Sequence, residues 1–417
     1  MTTIQRQSIS RMRLRVAGAA PILAVVLGLG LAATQPAQAQ TFKVLHSFTD
    51  GSDGGYPYIQ PVVDSHGNIF GTASGDYGYG NVWEYSSGGQ FSVLHSFDRT
   101  DGSDPSAGVK LYKGNMFGTT DSGGTVGYGT VFEITAGGNF TTLYNFGSQN
   151  FGPEFPDGGV TLDRAGNLYG TSYYGGAHGW GTVWKLSRSG SLTVLHSFDQ
   201  SDGSQVAGGY LKLNKQHKLY GVASAGGKNG NGTLFEINSD DTFSVLHYFT
   251  DEGSDGCGPI GSLVEYKGAL YGTASSCGDL GNGTVWQYNL SSRKFTVLYT
   301  FMGLLDGGDP IGGVGCQEGK KTVCAGHLYG TTQWGGAHGR GTVWEIDAKG
   351  KFSRLHSFCQ KARCVDGENP MTALSWIRMA TFMAPHMRAA CMATEPCGRS
   401  RLRRRGTVRM GWPTLSF

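Results

Sequence analysis

The sequence predicts an all-β chain closed as a β-propeller, with four-stranded blades of about fifty residues each, six of them intact and a seventh truncated. Three observations lead there. Three short strings recur in one fixed order along residues 40–376. Between turns, Val, Leu, Tyr, Trp and Phe stand at a spacing of two, as in half-buried strands. Gly, Asn, Asp and Ser clusters then break the chain at turn positions. Four short strands per unit match a propeller blade, and radial closure protects the sheet edges. A parallel β-helix is the rival architecture, but its coils are shorter than this repeat.

Residues 1–39 share nothing with the rest. Arg6, Arg11, Arg13 and Arg15 precede an apolar run from Val16 to Ala33, and Ala37-Gln38-Ala39 offers small residues for a peptidase. This reads as a secretory signal peptide cut before Gln40. A membrane anchor is the alternative, but Gly18, Pro21, Gly28 and Gly30 interrupt a short apolar core. No other stretch is apolar and long enough to span a bilayer.

The repeat itself starts with Val-Leu-His-Ser-Phe at Val44, Val93 and Val194. Variants begin at Thr142, Val245, Val297 and Arg354, giving spacings of 49, 49, 52, 51, 52 and 57 residues. A second string, Leu-Tyr-Gly-Thr or a variant, begins at Ile69, Met116, Leu168, Leu219, Leu270 and Leu328. A third, Gly-Thr-Val-Trp/Phe or a variant, begins at Gly80, Gly129, Gly181, Gly232, Gly283 and Gly341. In one unit the expected strands are Gly159–Asp163, Leu168–Ser172, Gly181–Leu186 and Leu192–Phe198. Phe42–Phe48 reads as a fourth strand that precedes any first strand, the arrangement in which an N-terminal strand completes the last blade.

Seven fourth strands but only six intact sets of the other three leave one set missing. The pattern starts again at Asp366–Pro370 and Ala373–Ser375, then vanishes after Trp376 into an Arg- and Met-rich segment, 377–417. Displacing the frame by one nucleotide across Ile377–Ser400 permits DPDGN(L/F)YGTTHAGGMHGNGTVWKI. This aligns without a gap to Asp163–Leu186, DRAGNLYGTSYYGGAHGWGTVWKL. Met379, Met383 and Met392 each precede Ala, and ATG-GCN read one base early forces GGC, so three repeat glycines are fixed by the code. The tail is therefore expected to be a frameshifted seventh blade, against the alternative of a natural variable tail.

Charge excludes one class of function. The whole chain carries +3, but setting aside residues 1–39 and 377–417 leaves 22 basic and 30 acidic residues, a net charge near −8. An acidic body lacks the basic stripe that displaces counterions from nucleic acid.

The pattern F…DG…P…G…GNLYGTT…GG…G.GTVW/F…VLHSF resembles the GloVer-type, or choice-of-anchor, tandem repeat proteins over roughly Thr41–Ser375. The resemblance implies secretion and a propeller-like body, often with a variable C-terminal surface anchor. It brings no established activity and no catalytic residues. Kelch repeats have similar length but a different spacing of glycine pair, Tyr and Trp.

Strand alternation places the four-to-one and two-to-three loops on one face, and these long loops hold the unusual residues. Candidate ligand-binding residues there are Asp53, Asp104, Asp157 and Asp309 with Tyr77, Tyr174, His178, Trp180, Trp334 and His338. Carboxylates beside exposed rings suit polysaccharides, since rings stack on sugar faces and carboxylates accept hydroxyl hydrogen bonds. The same acids could form a general acid/base pair. An Asp present in nearly every repeat is also a turn-former that bonds its own backbone, and that structural reading outweighs the chemical one.

No cofactor is expected, with Ca2+ the one possibility: Asp50–Gly54 resembles a calcium loop but lacks an EF-hand's spaced ligands and terminal Glu. The repeated His46, His95, His196, His247 and His356 occur one per blade, too far apart to share a metal, and read as packed or edge residues. The glycines before Gly-Thr-Val-Trp precede a strand rather than a helix, which rejects a phosphate cradle. No Ser-His-Asp or Cys-His-Asn signature appears, and no catalytic residue is assigned. All eight cysteines follow residue 256. In an oxidising compartment Cys257 with Cys277, Cys316 with Cys324 and Cys359 with Cys364 are candidate bridges. Cys391 and Cys397 belong to the displaced frame.

These readings converge on a secreted, extracellular or periplasmic binding or scaffold protein without a transmembrane span after signal cleavage. It would engage a glycan or protein ligand at the cell exterior, and not nucleic acid. The alternative is a glycan-active hydrolase or lyase on the same face. Acids isolated in one or two blades would favour the enzyme; acids recurring throughout favour binding.

Overall fold

The structure is a computed structural model. It describes residues 43–57, 60–75, 78–147, 151–206, 208–250, 254–318, 324–371, 375–377, 381–383 and 386–387. Residues 1–42, where the signal peptide is expected, and most of 377–417 lie outside the described residues. Within the described residues the regular structure is β, apart from short 3-10 turns such as Ala362–Cys364.

Six four-stranded antiparallel sheets follow one another as propeller blades, each in simple sequence order. Blade 1 is Val62–Val63, Ile69–Ala73, Asn81–Tyr85 and Phe91–Ser96. Blade 3 is Thr161–Leu162, Leu168–Ser172, Thr182–Leu186 and Leu192–Ser197. Its inner strand is shorter than the sequence suggests, because Gly159 leaves the sheet to bridge in parallel to Tyr210 of blade 4. Ser262 and Gly313 make the same inner-strand bridge between blades 5 and 6.

Within a blade, the second and third strands are cemented by a glycine facing an aromatic ring. Gly170 pairs with Trp184 across the ladder, and a Cβ on Gly170 would stand 2.3 Å from the indole. The same pairing joins Gly71 to Trp83, Gly118 to Phe132, Gly221 to Phe235, Gly272 to Trp286 and Gly330 to Trp344. Here glycine supplies close approach, since any side chain would lift the ring off the sheet. The rings are then wholly or nearly wholly buried.

Between blades, the Val-Leu-His-Ser-Phe strand does the joining. In every blade the ladder between third and fourth strands slips by one residue, as between Val82 and Trp83, which face His95 and Val93. This bulge leaves Leu94 unpaired and resets the alternation. Leu94 and Phe97, three apart and on opposite sides of a regular strand, consequently both enter the core formed with Val109, Met116 and Phe132 of blade 2. Leu195 and Phe198 enter blade 4, and Leu246 and Phe249 enter blade 5. Five of the hydrophobic cores are thus shared by two successive blades.

Two features lie beside blade 1. Leu45 and Phe48 pack on Ile69, Ala73 and Trp83 of blade 1 as a preceding outer strand would. Yet 43–48 is not a strand as expected, and among the described residues no third strand lies beside it. A hairpin, Ser375–Ile377 with Thr381–Met383, lies against the inner strands of both blade 6 and blade 1.

Replacing Gly170 with Ala is expected to cost about 1–3 kcal/mol by overpacking the Trp184 ring, read from the midpoint of a urea melt. A midpoint within error of the parent would disprove the close-approach role.

Candidate functional site

The recurring loop acid is part of the joint between blades. His46, His95, His196 and His247 bond through Nε2 to Asp53, Asp101, Asp202 and Asp255 at 3.1, 2.8, 2.7 and 2.9 Å. His356 stands 3.6 Å from Asp366, and Tyr299 donates to Asp306 at 2.8 Å. Five of these six rings also lie flat on the residue that opens the next outer strand: His46 on Phe91, His95 on Phe140, His196 on Phe243, His247 on Phe295 and Tyr299 on Phe352, with centroids 3.5–3.9 Å apart. The same carboxylates cap their own turns, as Asp202 does by accepting from the Asp199 amide. Their carbonyls take the hydroxyl of the repeat threonine, Thr233 for Asp202 and Thr284 for Asp255. Burial raises the Asp53 pKa, but bonds from Thr49 and His46 outweigh it and hold the group below its ordinary value. Both Asp53 oxygens are already engaged there.

Asp104 and Asp309 occupy a different position, just before Pro105 and Pro310, with φ of 51° and 58°. Their amides donate to Tyr79 and Asn282 of the preceding blade, and their carbonyls accept from Asp121 and Gln333 of their own. Asp tolerates this left-handed conformation better than most residues. Phe155, Gln205 and Asn369 stand at the same place with similar φ. Burial raises the Asp104 carboxyl despite a bond from Ser122. It pushes Asp309 to about 6, opposed by the Trp334 side chain.

At the junction of blades 2 and 3 three acids meet. Asp157 is raised by burial, opposed by Ser106. Asp121 is pushed to about 7 by burial, then by the charges of Asp157 and Asp104. Asp121 was not among the expected site residues. The signal was available: after Leu-Tyr-Gly-Thr and its variants the other blades carry Ser74, Tyr173, Ser224, Ser275 and Gln333, so the acid is isolated. Asp157 is isolated too, where other blades have Ser106, Ile260 and Ile311. Beside the cluster, Tyr128 meets Phe155 edge-on at 5.5 Å, and Phe155 meets Tyr174 at 6.0 Å.

The expected aromatic residues belong to the two-to-three loops of blades 1, 3 and 6. Tyr174 and Trp334 are 45% and 48% exposed, and Trp180 is 38% exposed. His178 and His338 are exposed at the tips of the two-to-three loops of blades 3 and 6. Tyr77 lies outside the described residues; its neighbour Tyr79 is exposed. Asp104 and Asp157 come together with Asp121, and Asp309 lies beside Trp334, whereas Asp53 is tied into the joint at blade 1. The loop before blade 6 is unusual in a second way: Met302, Leu304 and Leu305 are exposed where other blades place Asp, Ser and Thr.

Tyr210 fills space at the inner strands. It stands where blades 2, 3 and 6 have Gly108, Gly159 and Gly313. Its buried hydroxyl donates to the Val109 carbonyl of blade 2 at 3.5 Å, with Lys110 over the ring. On the opposite, short-turn face a cavity of about 260 Å³ opens between blades 2 and 3, lined by Tyr112, Lys113, Glu133 and Arg188.

Disulfides join Cys257 to Cys277 and Cys359 to Cys364. Cys316 is also disulfide-bonded, while the side chain of Cys324 lies outside the described residues. Among the described residues no group of three His, Cys, Asp or Glu side chains is placed to hold a metal ion, and no helix is long and apolar enough to cross a membrane.

Several solved structures share the fold. A streptogramin B lyase superposes with a TM-score of 0.50 at 14% identity over 79% of this chain and 89% of the lyase. An extracellular domain from B. thetaiotaomicron gives 0.52 at 10% identity over 83% of this chain and 39% of that one. The GH74 enzyme of Niastella koreensis gives 0.50 at 14% over 76% and 47%. At such identities the likeness is one of fold alone. No curated protein matches the sequence. The Gloeobacter/Verrucomicrobia repeat model matches residues 30–162 and 156–382, the span over which blade follows blade, and the chain belongs to that repeat family.

Proposed function

We propose that the protein is an exported binding or scaffold module that holds a glycan or protein ligand on its loop face. One observation carries this reading. The rings that face the blade cores are buried, but Tyr79, Phe151, Tyr174, Trp180 and Trp334 stand exposed on loops, with Asp104 bonded to Tyr79 and Asp309 to Trp334. Exposed rings on rigid loops suit stacking against sugar faces or packing under a partner's side chains, at little entropic cost. The disulfides fit an oxidising compartment, and an extracellular domain is among the proteins of like fold.

A second reading, a glycan-active hydrolase or lyase, is favoured by the cluster at blades 2 and 3. Asp121 and Asp157 are acids that the other blades do not repeat. A carboxyl held near pH 7 by burial and neighbouring charge suits proton transfer.

Screening soluble polysaccharides by tryptophan fluorescence, with product analysis of the same mixtures, separates the two. Binding without turnover supports the module. Trp180→Ala or Trp334→Ala is then expected to weaken binding by roughly 5- to 30-fold, about 1–2 kcal/mol. Turnover that disappears in Asp121→Asn supports the enzyme. No binding to glycan or to extracellular protein, together with no effect of these substitutions, defeats both.

The raised Asp121 also predicts a pH dependence of stability. Its folded pKa lies above the unfolded value, so the native state binds the extra proton. Stability from this group is fully present below about pH 4 and lost as pH rises through 7. Asp121→Asn should remove that part of the slope and raise the melting temperature at pH 8 relative to the parent. An unchanged slope would show that Asp121 titrates normally.

A further inference from the structure

We infer that the ring is built for seven blades, and that the seventh is encoded one nucleotide out of the frame in which residues 377–417 are written. The structural half of the argument is the joint at blade 6, which is already prepared for a following blade. At each standard joint a glycine opening the third strand packs on the proline of the next lead-in: Gly80 on Pro105, Gly129 on Pro156, Gly232 on Pro259 and Gly283 on Pro310. A Cβ on these glycines would stand 2.3–2.6 Å from the proline ring. Gly341 meets Pro370 in the same way, at 2.6 Å. The amide of Asn369 donates to the Arg340 carbonyl at 2.7 Å, as Asp104 does to Tyr79 and Asp309 to Asn282. Phe358 is fully buried, and Asp366 lies 3.6 Å from His356. The chain therefore enters a seventh blade with the glycine–proline packing, the lead-in amide bond and the buried outer-strand Phe of the other entries.

At the far side of the gap, Leu45 and Phe48 dock on blade 1, and His46 stacks on Phe91. These are the contacts of an outer strand, made by a segment beside which no third strand is described. Phe42 stands in sequence where Phe91, Phe140, Phe243 and Phe295 open the other outer strands. In a closed ring it is the residue on which His356 would stack.

The coding half supplies the strands between. Trp376 has the single codon TGG. One nucleotide placed before it makes the next codons (N)TG-GAT, and with C the chain continues Leu-Asp in register with Leu162-Asp163. Counting from that Asp, the frame reads DPDGN(L/F)YGTTHAGGMHGNGTVWKI, ending in the third strand that would pair with Val44–Phe48. Chance does not place three code-forced glycines at three repeat glycines in a single gapless alignment.

Two measurements test this. In a tryptic digest of the protein from its native source, the peptide ending in GTVWK should be found, whereas MATFMAPHMR, residues 379–388 as written, would overturn the inference. In parallel, the chain as written and a chain with one nucleotide added before codon 376 are compared by thermal melt. The restored chain should melt higher by on the order of 5 °C or more. Phe42→Ala should then lower its melting temperature while leaving the chain as written unchanged. A restored chain that melts no higher, or that ignores Phe42→Ala, would also overturn it.

Discussion

The fold depends on what the outer strand of each blade offers the next. A single bulge lets Leu, His and Phe of that strand reach the following sheet, where a regular strand would turn one of them away. The Leu and Phe complete the neighbour's core, and the His stacks on the neighbour's first outer residue while its far nitrogen holds the loop acid. The cores between successive blades draw on both, so a blade alone could not bury its whole apolar face. Closure is therefore a condition of stability. Any break in the ring exposes one outer strand and one unfilled core.

That requirement explains why the repeated acids are poor guides to chemistry. Asp101, Asp202 and Asp255 each serve the His, the turn and, through the backbone, the repeat threonine. A carboxylate with this many partners in every blade is committed to assembly. Function has to be sought where one blade departs from the rest: Asp121 and Asp157 between blades 2 and 3, the Met302–Leu305 loop, and Tyr210 at the inner strands.

The architecture was legible in the sequence because its three strings stay in register, and each string has one physical duty. The glycine of Leu-Tyr-Gly-Thr faces the ring of Gly-Thr-Val-Trp, and Val-Leu-His-Ser-Phe meets the next blade. The His–Asp pairs were not legible as pairs. Their members lie six to eight residues apart across a loop, and only the bulge and the turn bring them into contact. The alternation that marks a strand hides a bulge, since a one-residue slip changes which side chains share a face. Asp121 escaped because attention to what recurs passes over what does not. The aromatic residues were legible singly, but their distribution over several joints was not, because loop order along the chain does not give distance around a ring.

Tyr210 constrains where a ligand can sit. In blade 4 it replaces a glycine of the neighbouring inner strands, and its ring spans from there to the Val109 carbonyl of blade 2. At that level the inner strands are bridged by a buried side chain with a hydrogen-bonded end. On the proposed binding reading, a ligand would meet the exposed rings of the outer loops before it reached the Tyr210 side chain. Rings spread over several joints suit that geometry. They offer an extended or broad ligand several weak contacts at once, so that affinity would come from their sum and not from one enclosing pocket.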